Sequence, residues 1–430
     1  MQTPDSTVRR WLRASFDAAV AAADPARVVP PHLPHPPAGR TLVVGGGKAA
    51  ASMAAAVNAH WPAEAPLSGL VVTRYRHSLP AYGAGAPRIE VIEASHPLPD
   101  GRGEVAALRM LAMARTLGTD DLLLALVSGG GSSLLAAPVA GITLQDLRRV
   151  TRALLHGGAP IQAINTVRKH LMQVSGGRLA QAAYPAAGCA LIISDVVGDD
   201  PADIASGPCA PDASTCADAL AVLTQYRIDA PPAVMQYLAA CVLQPDSDTP
   251  RPDAACFLRM HNHVIARADD SLAAACGYFE SQGIRAVILD AHATGEAHVL
   301  ARTHAARIRA QANAKPTAWI SGGETTVSLS PGSGRGGRNT EYLLALALAL
   351  DGFPCWALAC DTDGIDGSED NAGAILSPDT LRRARATGLN AADLLATHNA
   401  YTFFMTLGDA IITGATRTNV NDYRVVLTGV

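Results

Sequence analysis

Short apolar runs alternate along the chain with stretches whose apolar positions recur at helical spacing. Thr41–Val44, Gly69–Val72, Ile89–Glu93, Leu122–Val127 and Cys189–Ile193 read as strands, the more continuous of them as strands buried on both faces. Between them, Ala49–Trp61, Gly103–Leu117, Leu144–His156 and Arg168–Ala183 read as helices. Strands alternating with helices of this length predict a parallel sheet with helices on both faces. Ahead of this region, Val8, Trp11, Leu12, Phe16, Ala19 and Val20 predict an amphipathic helix over 7–23, stopped at Asp24-Pro25. A proline- and aspartate-rich passage from Pro208 to Pro252 marks the border of the first domain. Beyond it the spacing predicts a helix over His263–Gln282, a strand over Ala286–Leu289, a helix over Glu296–Ala314 and a strand over Thr317–Ile320 with Thr325–Leu329 as its neighbour. A helix over Asn339–Leu350, a strand over Trp356–Ala359, two more helices and a last strand over Tyr423–Leu427 complete the pattern. The expected domains are therefore 38–235 and 236–430, with the helix in 1–37 packing on the second.

Composition adds few constraints. At 430 residues the chain is long enough for two or three domains. It is 49% hydrophobic but only 4% aromatic, so its cores are built from small, closely packed side chains. A net charge of −4 without a basic block argues against nucleic acid or an anionic membrane surface as partner. Met1–Phe16 lacks the apolar core of a signal peptide, and no apolar run is long enough to span a bilayer. Eight cysteines without C-x-x-C spacing are expected to be reduced thiols of a cytoplasmic protein. More telling is a scarcity: of 34 basic residues only Lys48, Lys169 and Lys315 are lysines. A compact ammonium is suited to phosphate and is not freely replaced by a guanidinium.

Nearly every expected strand ends in glycine beside a polar or charged residue. In open α/β sheets ligands bind beyond the carboxyl ends of the strands, so these ends are the candidate chemistry. Leu122–Val127 runs into Ser128-Gly129-Gly130-Gly131-Ser132-Ser133, read as a turn into a helix start that cradles an anion. Gly45-Gly46-Gly47-Lys48 is a second such turn. It fits the loose dinucleotide pattern G-x-G-x-x-A, yet Thr73-Arg74-Tyr75-Arg76 stands where a ribose-binding acid is required. The P-loop pattern fails, because no Ser or Thr follows Lys48. Gly334–Asn339 offers Arg335 and Arg338 as an anion clamp near Glu324. Asp195, Asp199, Asp200, Asp361, Asp363 and Asp366 supply carboxylates for magnesium or for a hydroxyl proton, about half of them expected to be turn or cap residues. His261-x-His263 lacks further ligands at zinc-like spacing, and Ser128 is not in a nucleophile elbow.

Longer motifs carry a resemblance. Val127–Ser132, Ile164–Leu171, Ile193–Pro201 and Ile204–Pro208 resemble the first domain of the glycerate 2-kinase family. Ser321–Val327, Gly336–Asn339, Asp361–Gly367, Gly408-Asp409 and Thr418–Asp422 resemble its carboxyl-terminal MOFRL domain. The resemblance implies two α/β domains, a Rossmann-like parallel sheet and a mixed-sheet domain, with a cleft between. It implies transfer of a phosphoryl group from ATP, with Mg2+, to the 2-hydroxyl of D-glycerate. It carries functional roles to Lys48 and Arg338. The remaining assignments are read from the residues: Gly129, Gly130, Gly131, Ser132, Ser133, Glu324 and Asp363 for the nucleotide, and Asp195 or Asp363 for magnesium or the hydroxyl proton. Thr340 stands where the family usually has glutamine, and His298 where arginine is common. An NAD(P)H-dependent hydroxypyruvate reductase is the alternative, and a homo-oligomer stays open.

Overall fold

The computed structural model describes residues 5–79, 88–329 and 332–430. The chain divides into two units, Pro25–Ile265 and Met1–Asp24 with Ala266–Val430.

The first unit holds β1 (Thr41–Gly46), β2 (Leu67–Arg74), β3 (Ile89–Ala94), β4 (Leu122–Ser128), β5 (Ala187–Ile193) and β6 (Met260–Ala266). They form one sheet in the order β3-β2-β1-β4-β5-β6. The pairs from β3 through to β5 are parallel. Every residue of β1 and β4 is buried, as continuous apolar runs require when helices cover both faces. Chain order reverses between β1 and β4, and at that point neighbouring connections leave to opposite faces and open a crevice at the carboxyl ends.

Four expectations for this unit change. The helix that starts after β4 is only a single turn, Gly131–Leu134. Backbone geometry, rather than a helix dipole, therefore shapes that turn. The helix expected over Arg168–Ala183 is two, Ile161–Leu171 and Arg178–Ala183. Ser175-Gly176-Gly177 interrupts it, both glycines having positive φ. A border at 235/236 would cut helix Pro232–Leu243, whose Val234 and Leu238 pack with Leu223 and Leu154 of this unit. The segment assigned to a helix from His263 instead continues β6, and the helix starts at Ala268.

The second unit holds β7 (Arg285–Ala293), β8 (Thr317–Gly323), β9 (Trp356–Asp361), β10 (Gly373–Leu376), β11 (Ala410–Ile411) and β12 (Asp422–Thr428). Their order is β11-β10-β9-β12-β8-β7. Only β7 and β8 pair in parallel, so the sheet is mixed. Thr325–Leu329 is not a strand; Thr326 makes one isolated bridge to Glu296. The N-terminal helix Asp5–Ala22 packs here, burying Val8, Leu12, Phe16 and Ala19 against Leu272, Phe279 and Tyr423. Burial of its larger apolar side chains is worth roughly 1.5–3 kcal/mol each, and Tyr423 Oη bonds Ser15 Oγ at 3.0 Å.

The cysteines depart from the expectation of free thiols. Cys216 and Cys241 form a disulfide between two helices of the first unit, with Cα atoms 6.1 Å apart. Among the described residues no helix is long and apolar enough to cross a membrane.

Candidate active site

In the first unit the two glycine turns are sewn together at the switch point. Lys48 N–H donates to Gly129 C=O at 2.9 Å, and Ala49 N–H to Ser128 Oγ at 3.1 Å. Gly47 N–H is held by Val72 C=O at 3.1 Å. Lys48 thus stands half-buried at the carboxyl end of β1, one residue before the cap of helix Ala50–His60. Gly130 adopts φ 82°, and a Cβ there would lie 2.9 Å from the His96 ring and 3.5 Å from Lys48 Cγ. The lysine stem and the imidazole therefore converge on this glycine. At Gly131 a Cβ would lie 2.5 Å from Ala205 Cβ and 2.9 Å from Gly46 C=O. Absence of side chains is what lets three segments meet.

The structure brings Lys48, Gly129, Gly130, Gly131, Ser132 and Ser133 into one turn system. Asp195 lies two residues past β5, the strand beside β4. Ser133 Oγ closes its own turn by donating to Gly130 C=O at 3.1 Å. Ser132 Oγ meets Ser206 Oγ at 2.8 Å. Reasoning from sequence noted the strand end that carries His96 and the scarce Lys169 without giving either a role, and it did not single out Ser206 as part of this assembly. Ser206 is fully buried with φ 61°, next to Ala205 at φ 52°, a left-handed pair that non-glycine residues rarely adopt. Lys169 Nζ is buried 3.6 Å from Asp203 and 3.7 Å from Asp212, bracing the same loop. The scarcity of lysine was the available signal for Lys169; nothing local in sequence marked Ser206.

The second unit gathers the other named residues at the ends of β8, β9 and β12. Arg338, at the head of helix Arg338–Ala349, spends its whole guanidinium on carboxylates. Its Nε donates to Asp422 at 2.8 and 3.0 Å, one Nη to Glu324 at 2.7 Å and the other to Asp361 at 2.8 Å. Burial alone would lower the Arg338 pKa, but Asp422, Asp361 and Glu324 outweigh it and hold the value well above the ordinary one. Asp422 also pairs with the buried Arg424 and accepts from Asn339 Nδ2 at 2.7 Å. Arg424 in turn lies over the Tyr342 ring, and Tyr342 Oη meets His304 Nδ1 at 2.9 Å.

Asp363 is buried and its carboxylate accepts from Ile365 N–H at 2.8 Å. Asp366 accepts from Asn339 N–H at 2.9 Å and from Thr340 N–H at 2.8 Å, so it caps the Arg338 helix from outside. Burial pushes the Asp366 carboxyl above its ordinary value, against these hydrogen bonds. Arg335, the other half of the expected clamp, is turned onto Glu369 and over the Tyr401 ring.

Two families match, one over each half of the chain. Residues 11–239 match the family described as domain of unknown function DUF4147, and residues 317–422 match the MOFRL family. A D-glycerate 2-kinase of Thermotoga maritima is 37% identical over 94% of this chain and 94% of its own. A glycerate kinase crystal structure from the same organism superposes with a TM-score of 0.85 at 36% identity, covering 98% of this chain and 99% of that one. The chain belongs to the glycerate 2-kinase family. A further relative, from Agrobacterium vitis, is 48% identical over 99% of this chain and 95% of its own, and bears the name "Putative hydroxypyruvate reductase". Within the family frame, Thr340 is not an exposed variable position: it is fully buried and its Oγ1 donates to Asp366 at 2.8 Å. His298 lies at the edge of the Glu296 carboxylate, 4.0 Å away.

Proposed function

We propose that the chain is an ATP- and Mg2+-dependent kinase that phosphorylates the 2-hydroxyl of D-glycerate. The observation that carries this reading is the sewn pair of turns at the β1–β4 switch point, with Lys48 as its cation. We assign its ammonium to hold and neutralise a transferring phosphoryl group, a charge-stabilising role that the backbone bonds on either side of it would support. Gly129 to Ser133 would receive phosphate oxygens, and the narrow glycine approach at Gly130 and Gly131 sets their position.

The residues of the second unit fit a divalent cation by charge. Asp361, Asp363, Asp422 and Glu324 carry four negative charges against the guanidiniums of Arg338 and Arg424. Two negative charges are left over. Asp363 here, or Asp195 in the first unit, is the residue we assign to the metal. Magnesium held by either one would add positive charge at the phosphate oxygens. Whichever of Asp195 and Asp363 does not hold the metal is the group we assign to accept the substrate hydroxyl proton. Arg338 holds Glu324, Asp361 and Asp422 in place, so its contribution is positioning of this acidic set.

The reductase reading, raised by the name of the Agrobacterium vitis relative, meets a specific obstacle. At the end of β2, where an acid would hold a ribose, stand Arg74 and Tyr75, and Tyr75 Oη is engaged with Asp100 at 2.7 Å. The test supplies D-glycerate with MgATP and couples 2-phosphoglycerate to enolase without a mutase. In parallel, NADPH is followed with hydroxypyruvate. Enolase signal without NADPH consumption is expected; NADPH oxidation with no phosphoryl transfer would overturn the kinase.

A further inference from the structure

The disulfide of the first unit has unusual company. Cys216 Sγ lies 3.7 Å from His170 Nδ1 and 3.4 Å from Asp248 Oδ1, and these two are themselves 2.8 Å apart. Cys216, Cys241 and His170 are buried at 0–2% exposure, and the Asp248 side chain at 9%. A disulfide needs neither an imidazole nor a carboxylate at its sulfur. Two cysteines, a histidine and an aspartate, by contrast, are a zinc donor set.

Geometry supports the same assignment. In a tetrahedral site with Zn–S of about 2.3 Å and Zn–N or Zn–O of about 2.0–2.1 Å, ligand atoms are spaced about 3.5 Å for S to N or O and about 3.3 Å for N to O. The two spacings from Cys216 Sγ, 3.7 and 3.4 Å, already match, the N–O pair opens by half an ångström when its hydrogen bond is replaced, and Cys241 Sγ, released from Cys216 on reduction, is the fourth ligand that moves in. The outer partners are in place as well. His170 Nε2 meets Ser214 Oγ at 3.1 Å, and Ser214 donates to Asp212 Oδ1 at 2.8 Å. Asp212 is 2% exposed and its Oδ2 makes no hydrogen bond. An imidazole whose far nitrogen is fixed through a hydroxyl to a carboxylate presents the near nitrogen to a metal. Asp248 is held likewise by Cys216 N–H at 3.0 Å and Thr249 N–H at 2.7 Å.

We propose that the reduced form of this cluster, Cys216 and Cys241 with His170 Nδ1 and Asp248 Oδ1, is a tetrahedral binding site for a divalent zinc-class cation. Formation takes two balanced steps. A dithiol reductant transfers two electrons and two protons to the Cys216–Cys241 bond, giving two thiols and its own cyclic disulfide. Zn2+ then forms two Zn–S bonds, and the two thiol protons leave to solvent. The cysteines sit on different helices, Cys216 at the first position of Cys216–Gln225 and Cys241 near the end of Pro232–Leu243. Metal or disulfide thus closes the same helix pair, in reducing or oxidising conditions respectively.

The test uses the full chain. Protein reduced by a phosphine is freed of reductant and metal, then titrated with Zn2+ against a chromophoric chelator. One zinc per chain is expected, and Cys216 and Cys241 should be protected from alkylation while the other cysteines react as before, read by peptide mass. Ser214→Ala should weaken zinc affinity by about 10–100-fold while leaving stoichiometry unchanged. Cobalt in place of zinc should give the intense visible bands of a tetrahedral thiolate site, absent in Cys216→Ser. Alkylation of both cysteines at equal rates with and without zinc in the folded wild-type chain overturns the site. So does a disulfide that survives reduction of the folded chain, or zinc uptake equal in the Cys216→Ser/Cys241→Ser chain.

Discussion

The strand ends of the two units are built in opposite ways. In the first unit the site is mostly backbone: glycines at φ angles or approaches closed to other residues, the half-buried Lys48, Lys169 bracing a loop, and hydroxyls spent on bracing turns. In the second it is side chain: four carboxylates and two guanidiniums, with Arg338 satisfied at every nitrogen by its own unit. A backbone site has little buried charge to lose, so its failure mode is steric. A charge-built site is bound together by pairs, so removal of one partner leaves another charge buried and unpaired.

Stability measurements can break this contrast. The largest loss should follow Asp422→Asn, which keeps the shape but strips the carboxylate shared by Arg338 and Arg424. About 3–5 kcal/mol is expected from urea denaturation midpoints, and a change under 1 kcal/mol would show that the pairs are dispensable. Next is pH. His304, beneath the Tyr342–Arg424 stack, has its pKa pushed down from the usual 6.5 to about 4, first by burial and then by Arg424. Its stabilising effect is complete above pH 6.5 and is lost as pH falls toward 4, because the unfolded chain takes up the proton first. That contribution is on the order of 3 kcal/mol. Denaturation at pH 7 and pH 4.5 should therefore show a smaller difference for His304→Phe than for the wild type. Gly131→Ala tests the other side. Its Cβ meets Ala205 and the Gly46 carbonyl, so about 1–3 kcal/mol should be lost, together with turnover. Unchanged stability and kcat would mean that the turn is looser than the backbone account requires.

Legibility in the sequence followed the same contrast. The first sheet was readable because β1, β4 and β5 are apolar runs buried throughout or nearly so, and their glycine turns are local signals. What escaped was long-range. Ser206 touches Ser132 across 74 residues, and its left-handed backbone has no glycine to announce it. The single-turn helix after β4 escaped because serines at a helix start say nothing about length. In the second unit Gly336-Gly337-Arg338-Asn339 was visible as a motif, but its reading as an open clamp was not, since Asp422 is 84 residues away. The short strands Gly373–Leu376 and Ala410-Ile411 were invisible for another reason: they are defined by antiparallel partners, not by their own pattern. The disulfide was missed because Cys216 and Cys241 are 25 residues apart on two helices that only the fold brings together.

Lys48→Ala separates chemistry from architecture most directly. The side chain is half-buried at a strand end, and the bonds that sew the turns use its backbone, so stability should move by about 0.5 kcal/mol or less. The account predicts that kcat with D-glycerate and MgATP, read through enolase, falls by about 100- to 1000-fold. Turnover equal to that of the wild-type chain would contradict it.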